Sequence, residues 1–203
     1  MRPGEKSLFA VKSRDLNQDV SIMLHLHSME RFGDTWKLDI AEKHGIAERA
    51  KASGTALIKE RKYSLAAEKY SFALKMLISD GCRGVIEDNH IERCDAIKMN
   101  MALCYMKLGR PEYVITHCND VIDNLYKKKV KNCEDSPFIL KAVYRRAWAY
   151  CEINEYEKCQ DDLESMFLIG GDMKDAVDLK KKLAVKVKNS NNALGNNLQK
   201  MFQ

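Results

Sequence analysis

The sequence predicts an all-α solenoid of three helical hairpins closed by C-terminal capping helices and preceded by a short β segment. Three observations predict it. Only 3 of 203 residues are proline and 10 are glycine, too few for a turn-rich β-sandwich. From about Leu38 onward the apolar residues recur at helical rather than strand spacing. Three stretches of that region align with one another at identical internal offsets, the mark of stacked repeats. A content of 45% hydrophobic and 31% charged residues excludes a disordered chain.

Residues 1–36 read as β structure. Val20 to Met29 alternates with a period of two, and Leu8–Val11 supplies a partner strand. Two strands alone are marginal in water, so the segment reads as the end of a larger sheet, the chain either beginning inside that domain or carrying a reduced version of it. Helices are expected at 38–61, 63–80, 87–108, 111–126, 137–153, 155–168, 172–188 and 191–202. Gly81 and Gly84, Gly109-Arg110-Pro111, Ser136-Pro137 and Gly170-Gly171-Asp172 mark their limits. Proline in a first turn costs nothing, because its missing N–H has no intrahelical partner there. Residues 37–170 form the repeats and 171–203 the capping helices.

The aligned positions are Gly54, Leu57, Tyr63, Ala66, Tyr70 and Ala73; Ala102, Tyr105, Pro111, Val114, Cys118 and Val121; and Ala147, Tyr150, Tyr156, Cys159, Leu163 and Met166. Gly54, Ala102 and Ala147 are the small residues at which two helices cross closely, and Ala66, Val114 and Cys159 are their counterparts. This is the tetratricopeptide (TPR) pattern. Successive equivalents lie 48 and 45 residues apart, which places insertions around 80–92 and 126–136.

Thirty-four basic and 29 acidic residues give a net charge of +5. Leu179 to Gln203 holds six lysines and no acid, so the first 178 residues carry a net charge of −1. No basic body for nucleic acid results. The closing lysines and the run Lys127–Lys131 read as solvated helix faces, in preference to sites for acidic proteins, nucleic acid or calmodulin. Seven cysteines without a CxxC pair, most in apolar helical stretches, indicate buried thiols in a reducing compartment. No uncharged apolar run approaches the roughly 18 residues of a membrane span, and no signal-peptide pattern opens the chain. A cytoplasmic location, extending to the nucleus, is expected.

TPR stacks line a concave groove with the first helix of each repeat. In some of them a carboxylate clamp holds the acidic C-terminal peptide of Hsp90 or Hsp70, with Lys-x3-Asn in the first repeat, Asn in the second and Lys-x3-Arg in the third. This sequence resembles that motif at Lys51, Thr55, Asn100, Lys141 and Arg145, with Thr55 where the motif has Asn. Spacing by four residues puts Lys51 with Thr55, and Lys141 with Arg145, on one helix face. Charge-assisted donors on rigid helices suit a terminal carboxylate and the acids before it. Thr55 donates one proton where Asn donates two, so it is expected to be a weakened fifth donor.

Met1-Arg-Pro-Gly-Glu5 resembles the MxxGE segment late in FK506-binding-protein (FKBP) domains, Asp19–Ser28 resembles their last strand, and Gly33-Asp34-Thr35-Trp36 resembles the join to a TPR module. The tail Ala193–Phe202 is similar to that of FKBP-like co-chaperones. The resemblance to FKBP-type immunophilins implies a non-enzymatic TPR adaptor, because the Tyr-Ala-Tyr-Gly loop and Trp floor of their isomerase pocket have no counterpart: after Lys12 comes Ser-Arg-Asp-Leu-Asn-Gln. It implies an Hsp90- or Hsp70-type peptide as partner. A second implication is a scaffold for a client kinase of casein kinase 1 type, as in the circadian clock. No cofactor, metal, nucleic acid or membrane is expected. Cys118 beside His117 falls at a packing position, not in a nucleophile pair. His25 and His27 lack a third zinc ligand. Tyr63, Tyr70, Tyr105, Trp148 and Tyr150 fall at helix-packing positions.

Overall fold

The computed structural model describes residues 5–12, 19–27, 35, 37–81, 88–127, 138–170 and 174–201, in two units divided between Leu38 and Asp39. In the first, β1 (Lys6–Lys12) pairs antiparallel with β2 (Asp19–His25), Phe9 opposite Ile22. Leu8–Val11 thus pairs with the strand from Val20, as expected. Leu8, Phe9, Ile22, Met23 and Leu24 all remain exposed on the ribbon.

The second unit holds α1 (Ile40–Lys59), α2 (Tyr63–Gly81), α3 (Asp88–Lys107), α4 (Pro111–Lys127), α5 (Ile139–Glu152), α6 (Tyr156–Gly170) and α7 (Lys174–Met201). Each helix packs on the next. Asp39 starts α1 with a capping box: its carboxylate accepts from the Glu42 N–H at 2.6 Å while its own N–H donates to Glu42 Oε2 at 3.0 Å, satisfying two end donors at once.

The hairpins α1/α2, α3/α4 and α5/α6 turn at one repeated position. Seven residues after each small crossing residue stand Arg61, Gly109 and Asn154, with φ of 59°, 66° and 64°. Beyond each, the N–H of Lys62, Arg110 and Glu155 donates back to the carbonyl of Leu57, Tyr105 and Tyr150 at 2.9 to 3.0 Å. That six-to-one bond closes a Schellman turn. Only glycine takes such a φ without strain.

The crossing residues are buried, as the repeats require. Ala66, Ala102, Val114, Ala147 and Cys159 are fully enclosed. A Cβ on Gly54 would lie 3.0 Å from the ring of Tyr70, so only glycine fits there unchanged. The core of the second and third repeats runs from Met99 through Val114, Cys118, Ala142, Ala147 and Leu163 to Leu179 and Leu183 of α7. Cys94, Cys104, Cys118, Cys151 and Cys159 are buried free thiols, whereas Cys82 and Cys133 lie outside the described residues.

Polar ties cross the same layers. Arg146 of α5 donates from Nε and Nη2 to both carboxylate oxygens of Asp162 in α6, at 2.9 and 2.6 Å, and from Nη1 to Asn119 of α4 at 2.8 Å. Asn124 donates to buried Asp95 at 2.9 Å, joining α4 to α3.

One expectation is corrected. The closing segments 172–188 and 191–202 form the single helix α7, because Asn189-Ser190-Asn191-Asn192 carries neither the proline nor the glycine that stops a helix, and its weak propensities are overridden. The closing lysines are largely solvated, with Lys180, Lys181, Lys182 and Lys188 exposed and Lys186 half-buried. Lys182 pairs with Glu152 at 2.6 Å, Lys186 donates to the Cys151 carbonyl at 2.9 Å, and Lys181 pairs with Asp178 at 3.4 Å. The insertions extend α2, α3 and α4 in part; their remainders, 82–87 and 128–136, lie outside the described residues, as do most of Lys127–Lys131, residues 1–4 and Trp36.

Candidate functional site

In α1 the buried face of Ala47, Ala50 and Gly54 turns Lys51 and Thr55 to the other side. Lys51 Nζ lies 3.4 Å from Glu48 Oε2 with both side chains partly solvated. Such a surface pair contributes about 0–1 kcal/mol, so an incoming carboxylate can replace Glu48. Lys51, Thr55, Ala52, Ala56 and Lys59 line a shallow cavity of about 360 Å³ on this helix.

Thr55 corrects the expectation of a fifth donor. Its Oγ1 donates to the Lys51 carbonyl at 3.0 Å and sits 2.9 Å from Tyr70 Oη. With its one proton on that carbonyl, Thr55 accepts from Tyr70. Burial pushes the Tyr70 phenol above its ordinary pKa, which keeps that proton in place. A ligand therefore finds no donor at Thr55.

In α3, buried Met99 and Met101 fix Asn100 between them as a half-buried amide. In α5, Lys141 is exposed and Arg145 half-buried. Arg145 Nη1 donates to the Met99 carbonyl, fastening the α5 guanidinium beside Asn100. Burial lowers the Arg145 pKa, yet a guanidinium stays charged at neutral pH. The nearby thiols cannot balance it, because burial pushes Cys104 to about 11 and Cys118 to about 12. Among the described residues, no carboxylate pairs with Arg145 or Lys141, and the Asn100 amide makes no side-chain hydrogen bond.

The five positions thus form two groups, Lys51 with Thr55 on α1, and Asn100, Lys141 and Arg145 on α3 and α5. Among the described residues, no hydrogen bond or ion pair joins the groups. What the repeat register did not reveal is the division of labour between adjacent arginines. Arg146 is consumed by Asp162, whereas Arg145 has no carboxylate partner among the described residues. The signal lay in Asp162, one turn after Cys159 on the helix facing α5.

Other candidates resolve as packing. Cys118 is fully buried and its thiol is held neutral, so it is no nucleophile. The His117 ring stacks on Tyr105 at 5.6 Å, and Tyr105 on Tyr113 at 4.8 Å. The rings of His25 and His27 lie 3.9 Å apart, but no cluster of three metal-ligating residues forms among the described residues. No described helix is long and apolar enough to cross a membrane.

No family model matches the chain. It is similar to the human FK506-binding protein-like, 29% identical over 181 residues, which are 89% of this chain and 47% of that protein. The chain spans about half the length of the curated relatives it matches. Its fold matches the C-terminal TPR-containing domain of a putative FK506-binding protein from Plasmodium falciparum, with TM-score 0.63 and 20% identity over 78% of this chain and 99% of that one. It also matches the first TPR of Spaghetti (RPAP3), bound to the HSP90 peptide SRMEEVD, with TM-score 0.51 and 19% identity over 71% and 95% of the two chains. In sequence and in fold, the chain resembles FKBP-type TPR proteins.

Proposed function

We propose that this chain is a non-enzymatic TPR adaptor whose groove holds the acidic C-terminal peptide of an Hsp90- or Hsp70-type chaperone. One observation carries the reading: Arg145, half-buried and without a carboxylate partner among the described residues, stands beside Asn100 with Lys141 one turn away on its own helix. A group of donors without a carboxylate partner among the described residues is complementary to a carboxylate. The peptide's terminal carboxylate accepts from Asn100, Lys141 and Arg145, and an acidic side chain upstream displaces Glu48 from Lys51. Each charge-assisted bond contributes about 1.5–3 kcal/mol, and after ordering costs four of them correspond to roughly micromolar affinity. The neighbouring TPR fold with an HSP90 peptide in place supports the reading. The setting is a reducing one, cytoplasm or nucleus, and no prolyl isomerase activity is expected.

Titration with a Met-Glu-Glu-Val-Asp peptide tests this, with micromolar binding expected and at least a tenfold loss in Lys141→Ala/Arg145→Ala. Unmeasurable affinity, or affinity indifferent to the double substitution, refutes the clamp. A kinase that co-precipitates equally with the wild type and the double variant would favour the client-kinase scaffold instead.

A further inference from the structure

We propose that the seam between α6 and α7 is a second docking site, which takes an acidic amphipathic helix from a partner protein. The inference is independent of the clamp. Leu163 and Phe167 of α6 and Leu183, Ala184 and Val187 of α7 floor an open cleft of about 620 Å³. Within a solenoid each helix is covered by the next, and a terminal helix ordinarily presents a polar outer face. Here the floor of the last seam is apolar, with Phe167 and Val187 only half-buried and Ala184 exposed, between polar walls. A helix laid along it would meet anchors at the spacing of one helical stripe, as in helix-in-groove recognition.

Charge selects the occupant. Lys181, Lys182 and Lys186 are each ion-paired, to Asp178 or Glu152. Lys180 and Lys188 line the seam and, among the described residues, have no carboxylate within ion-pairing distance; Lys180 rests on the Phe167 ring at 5.2 Å. Eight residues of helix separate them by about 12 Å, so one partner helix can set a carboxylate on each, two turns apart. The opposite wall carries Glu164, which accepts from Gln160 at 2.8 Å, so the partner's other flank is neutral or basic. A second copy of this chain fits poorly, because α7 beyond Leu179 has no acid and would lay lysine on lysine.

The probe is a fluorescein-labelled helical peptide of about 18 residues, long enough for five turns, with leucines on one stripe and glutamates along one flank, compared by anisotropy with the same peptide carrying lysines for glutamates. The acidic peptide should bind at least tenfold tighter than the basic one, Lys180→Glu/Lys188→Glu should reverse that preference, and Ala184→Arg should abolish binding. Lys141→Ala/Arg145→Ala should leave it unchanged, so this site and the clamp fail separately. Equal binding of the two peptides, or a preference that survives the charge reversal, overturns the proposal. So does a wild-type dimer in sedimentation that Ala184→Arg dissociates, which would make the occupant a second copy. Preferential co-sedimentation with phosphatidylserine vesicles over phosphatidylcholine ones, lost in the charge-reversed variant, would assign the lysines to a lipid surface and overturn it as well.

Discussion

Replacing Thr55 by Val, Tyr70 by Phe, and both together tests whether the first-repeat hydroxyl is committed inside the stack. Val keeps the β-branched shape of Thr but leaves the hydroxyl of Tyr70, a residue with no solvent exposure, without the partner it has at 2.9 Å. An orphaned buried donor costs about 1–3 kcal/mol. Tyr70→Phe removes the phenolic hydroxyl while Thr55 keeps the Lys51 carbonyl, a loss of about 0.5–1.5 kcal/mol. The double variant orphans nothing, so it should be about as stable as Tyr70→Phe alone, giving a coupling of roughly 1–3 kcal/mol. Urea denaturation of the four proteins, followed by circular dichroism with a common m value, measures this. Single effects that add to within about 0.5 kcal/mol would refute the inward hydroxyl. The same Thr55→Val protein should bind the acidic pentapeptide within about twofold of wild type, since the donor it lacks was never offered; a tenfold loss would place the hydroxyl on the ligand.

Three further outcomes are expected. Arg146→Ala should destabilise the helical unit by about 3–5 kcal/mol, because it leaves the Asp162 carboxylate buried and unpaired; chemical denaturation checks it, and a loss below about 1 kcal/mol would mean the pair is solvated. Arg61→Gly should stabilise by about 0.5–1 kcal/mol, since Arg holds a φ of 59° that glycine adopts freely; a lower melting temperature would contradict the turn geometry. Burial lowers the His117 pKa below its ordinary 6.5, outweighing the opposing Asp120 carboxylate, so below that pH the unfolded chain takes up a proton that the folded one refuses. Stability should therefore fall as pH drops from 6.5 through the folded value, and His117→Phe, which retains a ring to stack on Tyr105, should lessen that fall; melts from about pH 7.5 to 5 with equal slopes would exclude the effect.

Much of the fold was legible because it depends on residue size at fixed offsets. Gly54, Ala102 and Ala147 announce helix crossings by what they lack, and Gly109 and Asn154 announce turns that tolerate positive φ. Arg61 gives no such signal, and its turn shows only through the register of the other two. The unbroken α7 was hidden because four weak helix formers in a row imitate a stop, while contacts of Leu179 and Leu183 with the core anchor the first half from which the helix propagates. For the candidate positions, the sequence offers residue identities but not side-chain orientation. Lys51, Asn100, Lys141 and Arg145 come from the resemblance to the clamp motif, whereas the direction of the Thr55 hydroxyl is decided by Tyr70, fifteen residues away on another helix.

Adjacent residues on a helix point about 100° apart, and that rotation accounts for the opposite fates of Arg145 and Arg146. Arg146 meets Asp162 and Asn119, and both its charge and its donors are satisfied within the fold. Arg145 meets a backbone carbonyl and two neutral thiols, so that among the described residues its charge is uncompensated. A half-buried cation without a counterion costs stability, and packing of the repeats around Met99, Ala142 and Ala147 bears that cost. Under the proposed clamp, an arriving carboxylate would find a guanidinium already desolvated and already fastened to α3. Less side-chain freedom is lost on binding, and the local dielectric strengthens the bond that forms. The same logic separates Arg145 from Lys51, whose solvated pairing with Glu48 must be broken first. On the proposed clamp reading, selectivity for an anion would therefore reside mainly on α3 and α5, and α1 would add a cation that can be exchanged.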